Sequence, residues 1–207
     1  MDNHECDEWE QLYRSGDMPW EKGYAAPPLL EWLDLHGPLT GDIIVPGCGY
    51  GHDVRAIAAR SRNANVVGFD ISPTAIAEAR RFPKIGNESY QVRDLLDLSN
   101  DLYSTFDWVV EHTCFCVLSP EHRCDYVTRV ASLLRSDGLL LAIFFLDPWD
   151  PGEMPEAGGP PFGVTPDELN RLFGSRFQVI EEIHPKTAYP GRQGKELIRL
   201  LRKHQTV

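Results

Sequence analysis

Short apolar runs alternate along this chain with stretches of helical periodicity. Ile43-Ile44-Val45 leads into Pro46-Gly47-Cys48-Gly49-Tyr50-Gly51-His52-Asp53, after which Val54, Ile57 and Ala58 fall at helical spacing. Asn65-Val66-Val67-Gly68-Phe69-Asp70 reads as a second strand. Ser72-Pro73 then reads as a helix start, because serine caps exposed N–H groups and proline suits the first turn. Residues 90–92, 106–111 and 139–145 are further apolar strands. A helix is predicted over 120–134, with Val127, Val130, Leu133 and Leu134 on one face and a turn at Asp137-Gly138. Thr165-Pro166-Asp167-Glu168 opens a capped helix, and the apolar runs 177–183 and 196–201 close the chain as an expected antiparallel pair. Strands alternating with helices predict a doubly wound, Rossmann-like parallel α/β sheet with helices on both faces. Residues 147–163 carry five prolines and four glycines, so a long loop is expected there.

The glycine turn is the first candidate for chemistry. Gly47, Gly49 and Gly51 stand between a strand and a helix, where backbone N–H groups can face a ligand without an intervening Cβ. Asp70 follows Gly51 by nineteen residues, at the end of the next strand, from which an acid accepts the hydroxyls of a ribose. The alternative is a sharp structural turn with no ligand. The third glycine comes one residue too early for the dinucleotide spacing, and His52-Asp53 stand where a pyrophosphate needs small, uncharged neighbours. An acid at Asp53 repels a diphosphate but can face the ammonium or sulfonium of S-adenosylmethionine, which is therefore favoured over NAD.

Composition narrows the partners. A chain of 207 residues with 42% hydrophobic content suits a single domain over 1–207, and a net charge of −11 disfavours nucleic acid and points to a small-molecule substrate. The first residues lack a basic and then apolar leader, and no apolar run reaches the length of a membrane span, so a cytoplasmic protein without membrane partners is expected, as a monomer or weak homodimer. Cys6, Cys48, Cys114, Cys116 and Cys124 form neither a C-x-x-C pair nor a disulfide framework, and no metal site is expected.

Taken together, VPGCGYGHD from Val45 to Asp53, the strand-end acid Asp70, the Asp94-Leu95 pair and Glu111-His112-Thr113 resemble the motif series of class I S-adenosylmethionine-dependent methyltransferases. Trp9, Met18-Pro19-Trp20-Glu21-Lys22-Gly23, Pro120-Glu121-His122-Arg123 and Gly158-Gly159-Pro160-Pro161-Phe162 narrow this: the chain resembles the thiopurine methyltransferase superfamily, and within it the thiol and halide/thiocyanate methyltransferases. The resemblance spans about residues 9–203. It implies a seven-stranded, mostly parallel sheet with an antiparallel last strand. It also implies an N-terminal segment (1–40) covering the cofactor through Trp9, Trp20 and Gly23, and a lid-like loop at 146–165. Gly47, Cys48, Gly49 and Asp53 would border the methionine part, Asp70 and Ile71 the ribose, and Asp94 and Leu95 the adenine, with Glu111 beside them. S-adenosylhomocysteine would be the product.

Methyl transfer from a sulfonium is an in-line displacement that asks chiefly for alignment and a dry pocket. A thiol acceptor has a pKa of about 8.5, so a nearby cation or base increases the reactive thiolate. Arg123 matches an arginine that family members present toward the acceptor, and His112, at a strand end, is a candidate base or orienting donor. The plain alternatives are a solvated helix arginine and a satisfied strand-end histidine. Tyr189 and Phe162 are candidates for the acceptor wall. A small-molecule S-methyltransferase is the first expectation, a halide or thiocyanate methyltransferase the second, and a non-catalytic S-adenosylmethionine-binding protein the third.

Overall fold

The computed structural model describes residues 3–205, with side chains from residue 7 onward. Two helices, α1 (Asn3–Ser15) and α2 (Pro27–His36), precede the alternating core. That core runs β1 (Asp42–Pro46), α3 (His52–Arg60), β2 (Asn65–Asp70), α4 (Pro73–Ala79), β3 (Glu88–Val92), β4 (Phe106–His112), α5 (Arg123–Leu133), β5 (Leu134–Phe145), α6 (Pro166–Phe173), β6 (Phe177–Ile183) and β7 (Glu196–Lys203). The seven strands form one sheet in the order β3-β2-β1-β4-β5-β7-β6. β7 runs antiparallel to both β5 and β6, while the remaining pairs are parallel. The doubly wound fold and the antiparallel last strand are thus as the sequence predicts.

Alternation along the central strands sends side chains to two cores. Ile44, Val109, Leu140, Ala142 and Phe144 pack with Tyr126, Val130 and Phe173 of α5 and α6. Their sequence neighbours Ile43, Val45, Val110, Leu141 and Ile143 pack with Leu29, Trp32, Val54, Ile57 and Ile76 of α2, α3 and α4. Each fully buried side chain of this size stabilises the fold by roughly 1.5–3 kcal/mol, so a one-residue slip of any central strand would exchange two cores at once. The expected caps are present. Ser72 Oγ accepts the Ala75 N–H, and Thr165 Oγ1 accepts that of Glu168.

Three local expectations change. The N-terminal segment contains two helices, and Leu29, Trp32 and Leu33 of the second, α2, are buried in the core. The helix expected over 120–134 opens as a 3-10 turn at Pro120–His122 and ends at Leu133. β5 begins at Leu134, ahead of Asp137-Gly138: the pairing steps from Phe106↔Leu134 to Trp108↔Leu139, so the surplus residues bulge, with Asp137 at φ 61°. The predicted turn is that bulge.

Among the described residues no helix is long and apolar enough to cross a membrane, and no group of three or more His, Cys, Asp or Glu side chains is placed to hold a metal. The carboxyl ends of β1, β2, β4 and β5 share one edge of the sheet. The start of β7 joins them, because Glu196 pairs with Phe145.

Candidate active site

Three connected lobes open along that edge. The first is lined by Trp9, Trp20, Gly47, Phe69, Asp70, Ile71, Asp94 and Leu95, together with Thr113, Cys114, Val117 and Leu118. The second lies over the glycine turn, against Gly47, Cys48, Gly49, Asp53, His112 and Tyr189. The third, a cavity of about 460 Å³, is walled by Trp9, Leu12, Trp20, Trp149, Pro160 and Pro161, with Cys116 and Arg192. Trp20 and Thr113 border all three, so the junction lies between them.

The glycine turn is shaped as its spacing predicts. Gly47 has φ 59°, and a Cβ there would stand 2.9 Å from the Cys114 side chain. Gly51, at φ 73°, precedes α3 without a side-chain cap, and its missing Cβ would fall 2.5 Å from Tyr90. Asp70 is buried, and its carboxylate is aimed by the backbone: Gly49 N–H donates to Oδ2 at 2.9 Å and Ser72 N–H to Oδ1 at 3.0 Å. Burial raises its pKa, against the pull of the N–H groups of Ser72, Gly49 and Ile71. Asp70 lines the first lobe beside an apolar wall of Phe69, Ile71 and Leu95. Asp94 also lines it and accepts the Leu96 N–H at 2.8 Å.

Two tryptophans cover this lobe. The Trp9 and Trp20 rings meet edge to face with centroids 5.3 Å apart, and Tyr13 packs on Trp20 at 5.7 Å. Glu10, next to Trp9, fastens α1 to the start of α4: it accepts from Ser72 Oγ at 2.5 Å, from Thr74 Oγ1 at 2.6 Å and from Thr74 N at 3.1 Å. Further along, Glu21 pairs with His52 at 2.9 Å, Ala26 N–H donates to Asp53 at 2.7 Å and the Tyr189 hydroxyl donates to Tyr24 O at 2.7 Å.

β4 ends in strained backbone. Thr113 takes φ 64°, a region a β-branched residue rarely occupies, and its hydroxyl donates to the His112 carbonyl at 2.7 Å. That turn places Thr113 at the junction of the lobes and His112 behind the second. Nδ1 of His112 lies 3.0 Å from Asp53 Oδ2 and Nε2 lies 4.0 Å from Glu196 Oε1.

Most residues expected at a site are brought together. Trp9, Trp20, Gly47, Asp70, Ile71, Asp94 and Leu95 line the first lobe, and Cys48, Gly49, Asp53 and His112 the second. Three are placed elsewhere. Gly23 is exposed and borders no lobe, its N–H donating to Glu21. Glu111 is sealed under the site, accepting the Phe115 N–H at 2.8 Å and the Tyr126 hydroxyl at 2.5 Å, so its lone pairs hold the turn after β4 instead of a cofactor. Arg123 is 2% exposed and lines none of the three lobes. Its guanidinium donates to Glu168 at 2.6 Å and to the carbonyls of Gly163 at 3.0 Å and Phe162 at 3.3 Å, which pins the end of the long loop.

The cation on the third lobe is Arg192, in the segment between β6 and β7. It donates to Glu196 at 3.3 Å and stacks over Phe145 at 4.5 Å. Its signal in the sequence was position alone: a segment joining antiparallel end strands returns the chain to the ligand edge. The loop is fastened over the same lobe, with Phe162 N–H donating to Cys116 O at 2.6 Å and Trp149 Nε1–H to Pro161 O at 2.9 Å.

The first and second lobes suit an adenosyl-methionine ligand. A buried carboxylate lining the lobe, an apolar slot beside it and a turn that a Cβ would fill occur in the order such a ligand needs.

Comparison with known proteins gives the same picture from another direction. The family model described as Thiopurine S-methyltransferase (TPMT) matches residues 4–204. A probable thiol methyltransferase 2 of Arabidopsis thaliana is 31% identical over 96% of this chain and 85% of that protein. Thiocyanate methyltransferase 1 of the same plant is 32% identical over 91% of this chain and 81% of that protein. Among solved structures, a protein studied for the conversion of a disulfide bond into a thioacetal group during echinomycin biosynthesis shares the fold, with a TM-score of 0.77 at 20% identity over 99% of this chain and 94% of that one. So does the 1,6-didemethyltoxoflavin-N1-methyltransferase of Burkholderia thailandensis, with a TM-score of 0.72 at 20% identity over 97% and 87%.

Proposed function

This chain belongs to the thiopurine S-methyltransferase family, and on that premise we propose that it transfers the methyl group of S-adenosylmethionine to a small thiol or thiolate, releasing S-adenosylhomocysteine. Asp70 and Ile71 would hold the ribose, Asp94 and Leu95 the adenine, and Gly47, Cys48, Gly49 and Asp53 the methionine part, under Trp9 and Trp20. Bound there, the sulfonium supplies an electrophilic methyl group. The protein then has to bring a nucleophile in line and keep water out.

The observation that carries the acceptor reading is the third lobe. It is mostly apolar and aromatic, meets the first two at Trp20 and Thr113, and among its described lining residues the charged ones are Asp17 and Arg192, the latter paired with Glu196. A soft sulfur nucleophile is bound by aromatic walls, and one cation favours its ionised form. The 31% identity to a protein named as a probable thiol methyltransferase supports this choice. Arg192 also suits an acceptor that arrives already ionised, and the 32% identity to a thiocyanate methyltransferase favours thiocyanate or halide as the second reading.

Calorimetric titration with S-adenosylmethionine and S-adenosylhomocysteine, followed by turnover on thiols, thiocyanate and iodide, tests the proposal. Binding of both ligands with S-adenosylhomocysteine formed from a thiol is the expected result. Turnover on thiocyanate or iodide alone would move the assignment to the second reading. Binding without any turnover would leave a non-catalytic adenosyl-binding protein, and no binding would overturn the cofactor assignment.

A further inference from the structure

Two acids, Glu21 and Asp53, border the second lobe, and both are held below the ordinary carboxylate range. Burial alone would raise them, but hydrogen bonds from His52 and Gly23 to Glu21, and from His112 and Ala26 to Asp53, outweigh it. A methionine part lying there brings an ammonium, which these acids attract, and an α-carboxylate, which they repel. The carboxylate therefore needs a cation of its own.

The two imidazoles lining the lobe already face the acids: His52 Nε2 lies 2.9 Å from Glu21 and His112 Nδ1 lies 3.0 Å from Asp53. Among the described lining residues, Lys22 is the only Lys or Arg. Its ammonium donates to the Pro19 carbonyl at 2.6 Å and forms no ion pair among the described residues. That contact engages one of three N–H donors and leaves the others for a ligand.

Position supplies a second argument. Lys22 follows Trp20 by two residues in the stretch between α1 and α2, and Trp20 borders all three lobes. The bond to Pro19 folds the lysine back along its own segment, so the charge moves with the segment that carries Trp20. The same stretch is tied to the scaffold beside the second lobe, by Glu21 on His52 at 2.9 Å and by Ala26 N–H on Asp53 at 2.7 Å. A carboxylate held by Lys22 would add a tie from the ligand itself.

We propose that Lys22 binds the α-carboxylate of the methionine part, and that the amino-acid end of the cofactor thereby closes the Trp20 segment over the site. The inference rests on the assignment of the second lobe to the methionine part. The remaining N–H groups of Lys22 donate to the carboxylate, while the ligand ammonium faces Glu21 and Asp53; no covalent bond is made or broken. Lys22 is then a specificity-determining residue. Ligands that carry the amino-acid end gain from it, and adenosyl thioethers without that end do not.

The test titrates S-adenosylhomocysteine and 5′-methylthioadenosine, which share the adenosine and a neutral thioether sulfur, into wild type, Lys22→Met and Lys22→Arg, with melting temperature measured for each. Lys22→Met keeps most of the apolar stem and loses the charge. S-adenosylhomocysteine should bind it about tenfold more weakly, while 5′-methylthioadenosine stays within about twofold of wild type. Lys22→Arg should return S-adenosylhomocysteine affinity to within about threefold of wild type. Added salt should weaken S-adenosylhomocysteine binding more in wild type than in Lys22→Met. In wild type, amide exchange over residues 20–24 should slow with S-adenosylhomocysteine and slow less with 5′-methylthioadenosine. Because Lys22 is exposed, both variants should fold; were one to fail, the exchange comparison in wild type decides.

Equal weakening of both ligands in Lys22→Met, or no weakening of either, would overturn this inference and leave the cofactor assignment intact. So would equal slowing of exchange by the two ligands. No binding of S-adenosylhomocysteine to wild type would instead overturn the cofactor assignment itself.

Discussion

The two halves of the pocket are built by different means. At the first lobe the buried carboxylate is aimed by backbone: Gly49 and Ser72 N–H groups donate to Asp70, and the residues concerned lie at the ends of neighbouring strands. At the third lobe the contacts come from distant segments, with α1, the turn after β4, the 147–163 loop and Arg192, paired with Glu196, meeting at one cavity. Backbone geometry at a glycine turn admits few substitutions, so that half is tied to one ligand. Side-chain pairs can be exchanged one at a time, and a family on this scaffold can change acceptors without disturbing the cofactor.

The sharpest test of this division is Asp70→Asn. It keeps the shape but leaves two N–H donors facing a neutral, partly mismatched amide. S-adenosylhomocysteine affinity should fall by about 100-fold, roughly 2.7 kcal/mol, with the preference among acceptors unchanged. Titration calorimetry reads the first and competition between two acceptors the second. A shifted preference would break the division between the halves.

The converse is Arg192→Gln. Acceptor KM should rise by about 30-fold while S-adenosylhomocysteine affinity stays within about twofold, since Arg192 borders only the third lobe. Steady-state kinetics with the cofactor saturating reads this. Equal losses on both sides would mean that the lobes act as one site.

The same division explains what could be read from the sequence. Gly47, Gly49, Gly51 and Asp70 were legible because a strand, a turn and a helix start are local, and local spacing fixes where their backbone goes. The sheet was legible for the same reason, through alternation of Ile43 with Ile44 and Leu140 with Leu141. Glu111 and Arg123 are not fixed by sequence, because a strand-end acid and a helix-start arginine have the same sequence signature whether they face a pocket or the core. What decides is contact with Tyr126 in one case and with Phe162, Gly163 and Glu168 in the other. Arg192 carries no local pattern at all, so only the fold brings it to the third lobe.

A smaller effect is expected where α1 closes over the first lobe. Burial raises the Glu10 carboxyl, but hydrogen bonds from Ser72 and Thr74, with the charge of Arg14, outweigh this and bring its pKa from 4.5 down to about 2. The latch is therefore complete above about pH 4.5 and is lost as the pH falls toward 2, leaving affinity at pH 5–8 free of this titration. Glu10→Gln keeps some of the hydrogen bonds and loses the charge, so S-adenosylhomocysteine should bind about fivefold more weakly and amide exchange in α1 should quicken.

The smallest effect should come from the clamp on the long loop. Glu168→Gln removes the charge opposite Arg123 but leaves the guanidinium bonded to the carbonyls of Phe162 and Gly163 and stacked 4.9 Å over Phe115. Because Glu168 is itself partly solvated, the loss should be about 1 kcal/mol in unfolding free energy, well short of the 3–5 kcal/mol for stripping a fully buried pair. Amide exchange at Phe162 and Val164 should quicken with acceptor KM rising about twofold and cofactor affinity unchanged. A change in cofactor affinity of the same size would mean that the loop belongs to both halves, and that the acceptor side is less free to vary than its side-chain pairs imply.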